Sequence, residues 1–179
     1  METHPVRLAT PEDATLLAEL AARTFRDTFA TDNSPENMAA YVAAHYSPAI
    51  QEQELRDPRR CCLLAHVGGA PAGFAYLRDE PVEPGVPGQR PLRLERLYVD
   101  RPFLNMRVGA LLMRRCLEEA HTRGHDVMWL GVWEHNLRAR AFYARWGFSE
   151  VGATTFALGD DLQSDLLLAR PVAPPPAGG

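Results

Sequence analysis

The run from Leu94 to Phe148 narrows the possible folds more than any other stretch of the chain. Leu94 to Val99 alternates and is rich in β formers, which predicts a strand. Asp100 to Arg107 carries a proline and leads into an amphipathic pattern. There Val108, Leu111, Leu112, Cys116, Leu117 and Ala120 share one helical face, and Gly124 supplies the stop. Val127 to Val132 is a second short apolar strand. Asn136 is spaced to cap a further helix that Gly147 terminates. Two strands separated by one helix lie parallel, because the crossover returns the chain to the end of the sheet it started from. Such a unit also sets a helix N-terminus, with unpaired N–H groups and a positive dipole end, beside the C-terminal edge of a strand. A phosphate can be held there.

These residues carry a resemblance. Asn136, Ala139, Phe142, Tyr143, Gly147 and Phe148 match the N-x-x-A-x-x-F-Y-x-x-x-G-F pattern in full. The stretch resembles the cofactor-binding core of the GNAT superfamily of N-acetyltransferases. TFRDTFA, WLGVWEHN and FALGDDLQSDLLLAR are similar to the PaiA-like branch, whose members acetylate polyamines such as spermidine. The resemblance runs from Val6 to Arg170. It implies an α/β (α+β) fold: a mixed, mostly antiparallel central sheet flanked by helices, with one parallel pair joined by a crossover helix. It also implies acetyl-CoA as co-substrate and a homodimer. The backbone of Leu97, Tyr98 and Val99 would bind the pantetheine arm. Asn136, Ala139 and Tyr143 would touch the coenzyme from the last helix, and the backbone from Met106 through Arg107, Val108 and Gly109 to Ala110 would meet its pyrophosphate.

The phosphate loop departs from the family pattern Q/R-x-x-G-x-G/A. By register those positions fall on Leu104, Arg107 and Gly109, with Asn105 and Met106 between. Leu104 replaces Gln or Arg, and Arg107 replaces the first glycine, which elsewhere lets the backbone close on the phosphates. Arg107 keeps its N–H and adds a cation. Loss of one phosphate contact costs roughly 1–3 kcal/mol, which weakens binding without abolishing it.

The remaining segments are expected to complete one domain over residues 1–170, with a disordered Pro/Gly-rich tail over 171–179. Val6 to Leu8 reads as a strand, and Thr10-Pro11-Glu12-Asp13 as a helix start leading into Leu16, Leu17, Leu20, Ala21 and Phe25. Ser34-Pro35-Glu36 starts a second helix with Met38, Tyr41, Val42 and His45 on its apolar side. A third helical piece spans Ile50 to Leu55. Cys61–Val67 and Pro71–Leu77 form a hairpin through Gly68-Gly69. Asp79 to Pro91 is a Pro/Gly loop, and Phe148–Phe156 and Ser164–Ala169 are strands joined by a turn at Gly159-Asp160-Asp161.

Nineteen basic against 23 acidic residues give a net charge of −4, which argues against a nucleic-acid footprint. Cys61, Cys62 and Cys116 have no metal-ligand spacing, so no metal is expected and the thiols read as reduced. No apolar run reaches membrane-spanning length and the N-terminus shows no signal-peptide pattern. A cytoplasmic protein without membrane partners is the expectation.

Acetyl transfer to an amine needs a deprotonated amine and a proton for the leaving thiolate. Glu95, on the central strand and by alternation on the same face as Leu97, and Glu134, just past the next strand, can each act as base or bind the cation. Each also has a purely structural reading, a salt bridge with Arg96 or another neighbour for Glu95 and a polar loop position for Glu134. Tyr143 is the candidate proton donor, and packing against the sheet is its alternative. Asp27, Asp32 and Glu36 are candidates for gripping an ammonium group, and Trp133 for lining the site. The resulting expectation is an acetyl-CoA-dependent transferase acting on a small amine, a polyamine among the options, by direct transfer in a ternary complex. The same chemistry on an amino acid or peptide N-terminus is an alternative. So is an acyl-CoA-binding sensor whose altered loop impairs turnover.

Overall fold

In the computed structural model, which describes residues 5–172, a single seven-stranded sheet runs in the order β1-β2-β3-β4-β5-β7-β6. The strands are β1 Val6–Leu8, β2 Arg60–Val67, β3 Ala70–Arg78, β4 Pro91–Val99, β5 Val127–Trp133, β6 Ser149–Leu158 and β7 Asp161–Pro171. The helices are α1 Ala14–Phe29, α2 Pro35–His45, α3 Pro48–Arg56, α4 Val108–Thr122 and α5 Leu137–Arg145. Every strand pairing is antiparallel except β4 with β5, which α4 bridges. The mixed, mostly antiparallel fold with one crossover pair is the one the sequence implies.

Local chemistry sets the element ends. Ser34 and Ser47 cap α2 and α3 by accepting the N–H of Asn37 and Ile50, each with a proline in the next position. Gly68 and Gly69, at φ 56° and 83°, supply the two left-handed residues of a two-residue hairpin turn. Along β2, Leu63 and Leu64 enter different cores because consecutive strand residues point to opposite faces. Leu63, Leu94, Leu112, Met113, Cys116 and Leu130 pack between the sheet and α4. Leu17, Leu20, Phe25, Leu64, Phe74 and Tyr76 pack beneath α1–α3.

Several boundaries differ from the sequence reading, among them the start of β4 at Pro91 rather than Leu94, where it pairs with Val127. Helix α3 begins at Pro48, because Ser47 is its cap. Strands β6 and β7 are longer than their apolar cores, since ladder pairing continues through Gln163↔Phe156 to Leu158↔Asp161. Strand β7 takes in Pro171, the first residue of the tail expected over 171–179, because it pairs with Val127; residues 173–179 lie outside the described residues.

Two irregularities shape the site. Strands β4 and β5 pair only at Pro91↔Val127, Leu92↔Met128 and Arg93↔Trp129, and beyond these pairs they separate. Strand β4 also bulges: Tyr76 faces Arg96 and Leu77 faces Leu94, so Glu95 is left without a partner on β3. The extra residue turns Glu95 and Arg96 both to the face covered by α1–α3, where they meet Arg60 of β2 and Glu54 of α3, while Leu97 packs on the α4 side. The expectation that Glu95 shares a face with Leu97 is therefore corrected.

Candidate active site

The gap between β4 and β5 opens into a cleft of about 660 Å³. Leu97, Tyr98 and Val99 form one wall, Asn136, Ala139 and Tyr143 the other, and Leu104, Asn105, Arg107, Val108, Gly109 and Ala110 close its end. Of the residues expected around a coenzyme, Met106 alone does not line the cleft; it is an exposed side chain on the outside of the loop. The first helical bond of α4 runs from the Leu111 N–H to the Arg107 carbonyl, at 3.1 Å. The N–H groups of Val108, Gly109 and Ala110 therefore precede the ladder, and no side chain caps them. Asn105 and Arg107 both have positive φ. Arg107 thus holds a backbone conformation that glycine adopts more readily. Arg101, Arg107, Arg138 and Arg145 all border the cleft, so it suits a polyanion with an extended arm. Asp27 borders this cleft as well.

A second, smaller cavity of about 210 Å³ lies beneath α1 and α2. Phe25, Phe29, Tyr41, Tyr46, Trp133 and Phe156 make its walls, with Phe25 and Tyr41 stacked at 4.5 Å. Arg93, Glu95, Arg96 and Asp165 are its charged lining. Arg96 is held by Glu54 at 2.7 Å and lies over the rings of Tyr46 and Tyr76. Glu95 is paired with Arg60 at 3.0 Å and Arg78 at 3.5 Å, the salt-bridged state, although Arg96 is not its partner. Asp165 is different. Burial pushes its carboxyl up to about 6, against a smaller opposing effect of Arg93. His45, also in the lining, is held below the usual imidazole range by burial and by Arg96.

The two cavities meet. Leu97, Tyr98, Asn136, Ala139 and Tyr143 line both. Asn136 caps α5 by accepting the Ala139 N–H at 3.2 Å, as its position implied. Tyr143 is 8% exposed, its ring set edge-on to Phe142 and Phe148. Burial raises its phenol well above the ordinary value. Glu134 borders neither cavity; its carboxylate lies near the His135 ring at 3.3 Å on the surface. Asp32 and Glu36 are likewise exposed and outside both. Cys61, Cys62 and Cys116 border neither, and burial pushes the Cys61 thiol up to about 11.

Two charged residues of the smaller cavity have no place in the sequence reading, Arg93 and Asp165. Asp165 carries one signal, an acid at the head of the apolar run from Leu166 to Ala169. Its position beside β5 depends on long-range pairing of Asp165 with Trp133.

Residues 17–148 match the model of the acetyltransferase (GNAT) family. An uncharacterized N-acetyltransferase of Lactobacillus delbrueckii subsp. lactis is 34% identical over 156 residues, covering 84% of this chain and 87% of that protein. One from Mycobacterium tuberculosis is 36% identical over 159 residues, covering 88% of this chain and 97% of that protein. The crystal structure of the PaiA N-acetyltransferase of Thermoplasma acidophilum in complex with coenzyme A superposes with a TM-score of 0.77 at 20% identity. That match covers 95% of this chain and 99% of that one.

Proposed function

The chain belongs to the acetyltransferase (GNAT) family and is an N-acetyltransferase using acetyl-CoA; from that premise we propose direct transfer, in a ternary complex, to a small primary amine bound in the aromatic cavity. One observation carries this reading. The coenzyme-sized cleft and the enclosed cavity share a wall that ends at Tyr143, so two substrates occupying them meet there. No cysteine borders the junction, which leaves no thiol placed to carry the acetyl group between them.

In this reaction the amine nitrogen attacks the thioester carbonyl carbon, the C–N bond forms and the C–S bond breaks. The proton of the acceptor ammonium passes to Asp165, whose raised carboxyl lies nearer the working pH than an ordinary one. Tyr143 gives its phenolic proton to the departing thiolate and is restored by the second proton, which the nitrogen sheds as the amide forms. Burial weakens the phenol as an acid, but a thiolate released into the same dry junction is a correspondingly stronger base. Glu95, clamped by two arginines, helps set the field of the cavity.

The polyamine acceptor suggested by the PaiA-like resemblance is supported by the two carboxylates and by aromatic walls that suit an ammonium group. An amino acid is the second reading, favoured by Arg93. The homodimer rests on the resemblance alone, and sedimentation equilibrium tests it. Initial-velocity patterns test the ternary complex: intersecting lines are expected when acetyl-CoA and amine are varied together. Parallel lines would mean an acetyl-enzyme and overturn it.

A further inference from the structure

Four buried side-chain atoms have no hydrogen-bond partner among the described residues: Arg93 Nε, Trp129 Nε1, Gln163 Oε1 and Asp165 Oδ1. Buried polar atoms are ordinarily paired, so a cluster of unpaired ones points to an absent partner. All four belong to neighbouring strands, and two of them, on Arg93 and Asp165, border the small cavity. Arg93 is registered against Trp129 across β4 and β5, and Asp165 against Trp133 across β5 and β7. The unpaired donors are on β4 and β5 and the unpaired acceptors are on β7, with Gly131 between them. A Cβ at Gly131 would come within 3.2 Å of Asp165 Oδ2, so the glycine leaves room for the carboxylate over the sheet.

Within the small cavity, Arg96 has Glu54, and Glu95 has Arg60 and Arg78. Arg93 stands apart. Among the described residues it makes no ion pair and no hydrogen bond, and its guanidinium rests over the Trp129 ring, 5.0 Å from the centroid. Stacking holds the planar cation without using its in-plane donors, which stay available to a carboxylate. The cavity therefore offers an unpaired cation from β4 and an unpaired carboxylate from β7, the strands on either side of β5.

We propose that the acceptor is an amino acid-like zwitterion, its carboxylate held by Arg93 and its ammonium presented to Asp165. This deepens the proposed function and rests on that reading of the cavity as the acceptor site. A polyamine would set its second ammonium against the unpaired guanidinium, whereas an acceptor carrying both charges satisfies both orphan groups. The aromatic walls then meet the rest of the side chain.

The test compares acceptors that differ only by a carboxylate: ornithine with putrescine, lysine with cadaverine, and tyrosine with tyramine. For each, kcat/KM is measured with saturating acetyl-CoA. In the wild type, the amino acid of at least one pair is expected to exceed its decarboxylated partner by about tenfold or more, since a charge-assisted pair is worth roughly that factor or above. Arg93→Gln should lower that ratio by about 10- to 100-fold, mainly through KM, and Arg93→Lys should restore much of it. A wild type that prefers the decarboxylated amine in every pair overturns the proposal and leaves the small-amine reading standing. So does an Arg93→Gln enzyme that loses activity equally on both partners, the result expected if water fills the orphan positions. The wild-type ratio needs no variant, so a poorly folded Arg93→Gln does not blunt the test. Transfer to no member of any pair, nor to spermidine, overturns both readings together.

Discussion

Asn105 and Arg107 both hold left-handed backbone conformations, at φ 68° and 62°, on either side of Met106. Outside glycine this region costs about 1–2 kcal/mol, somewhat less for Asn. The loop thus keeps a glycine's path with a side chain that resists it, and the side chain borders the coenzyme cleft. Arg107→Gly is expected to raise unfolding stability by about 1 kcal/mol. The same change should weaken acetyl-CoA binding by about three- to tenfold at low salt, with the difference shrinking at high salt. Calorimetry at two ionic strengths checks this. An unchanged affinity at both would show that the guanidinium does not meet the phosphates.

Tyr143 joins the two cavities by its position, and its ring supplies the packing. Tyr143→Phe should keep the fold and the KM for acetyl-CoA while lowering kcat by roughly 100-fold. A kcat within about threefold of wild type would leave the phenol as packing alone.

Asp165 gives a stability prediction with a definite sign. Its folded-state value of about 6 stands above the ordinary 3.8, so the folded chain binds this proton more tightly than the unfolded chain. That contribution is fully present below the ordinary value and is lost as pH rises through 6. Asp165→Asn should therefore gain stability relative to wild type as the pH climbs from acid to neutral, while its acetyl transfer falls. In the wild type, kcat/KM should decline on the acid side of about pH 6, and the variant should lack that limb. Thermal melts across the pH series, set beside pH–rate profiles, test both halves.

Glu95 and Glu134 should separate cleanly. Glu95→Gln removes the partner of Arg60 and Arg78 in a half-buried network and should cost about 1–3 kcal/mol of stability. Glu134 is on the surface beside His135, so Glu134→Gln should leave both stability and turnover close to wild type. A large activity loss in Glu134→Gln would place it back in the mechanism.

What the sequence made legible follows from the range of the interactions involved. The crossover unit could be read because its signals are local: the apolar face of α4, the Asn136 cap and the Gly147 stop lie within a few turns of one another. Glu95 lies on the face opposite to the one alternation predicts, because alternation assumes an unbroken period of two and one bulged residue inverts it. Asp165 escaped because its meaning comes from Gly131 and Trp133 on a strand far away in sequence. Asp27 shows the same limit within one helix. It borders the larger cleft, whereas Phe25 and Phe29 on either side of it border the smaller cavity. A difference of two residues along α1 decides which cavity a side chain meets.

The parallel seam between β4 and β5 is held by three residue pairs, whereas β3–β4 and β5–β7 stay paired to the ends of those strands. Past Arg93 and Trp129, each strand presents an internal sheet edge with unmatched main-chain groups, enclosed by helices and so kept from other chains. An extended molecule carrying amides, as pantetheine does, can enter as a surrogate strand and supply the missing rungs. The coenzyme would then serve as a removable part of the sheet, and cohesion across the seam would depend on its concentration.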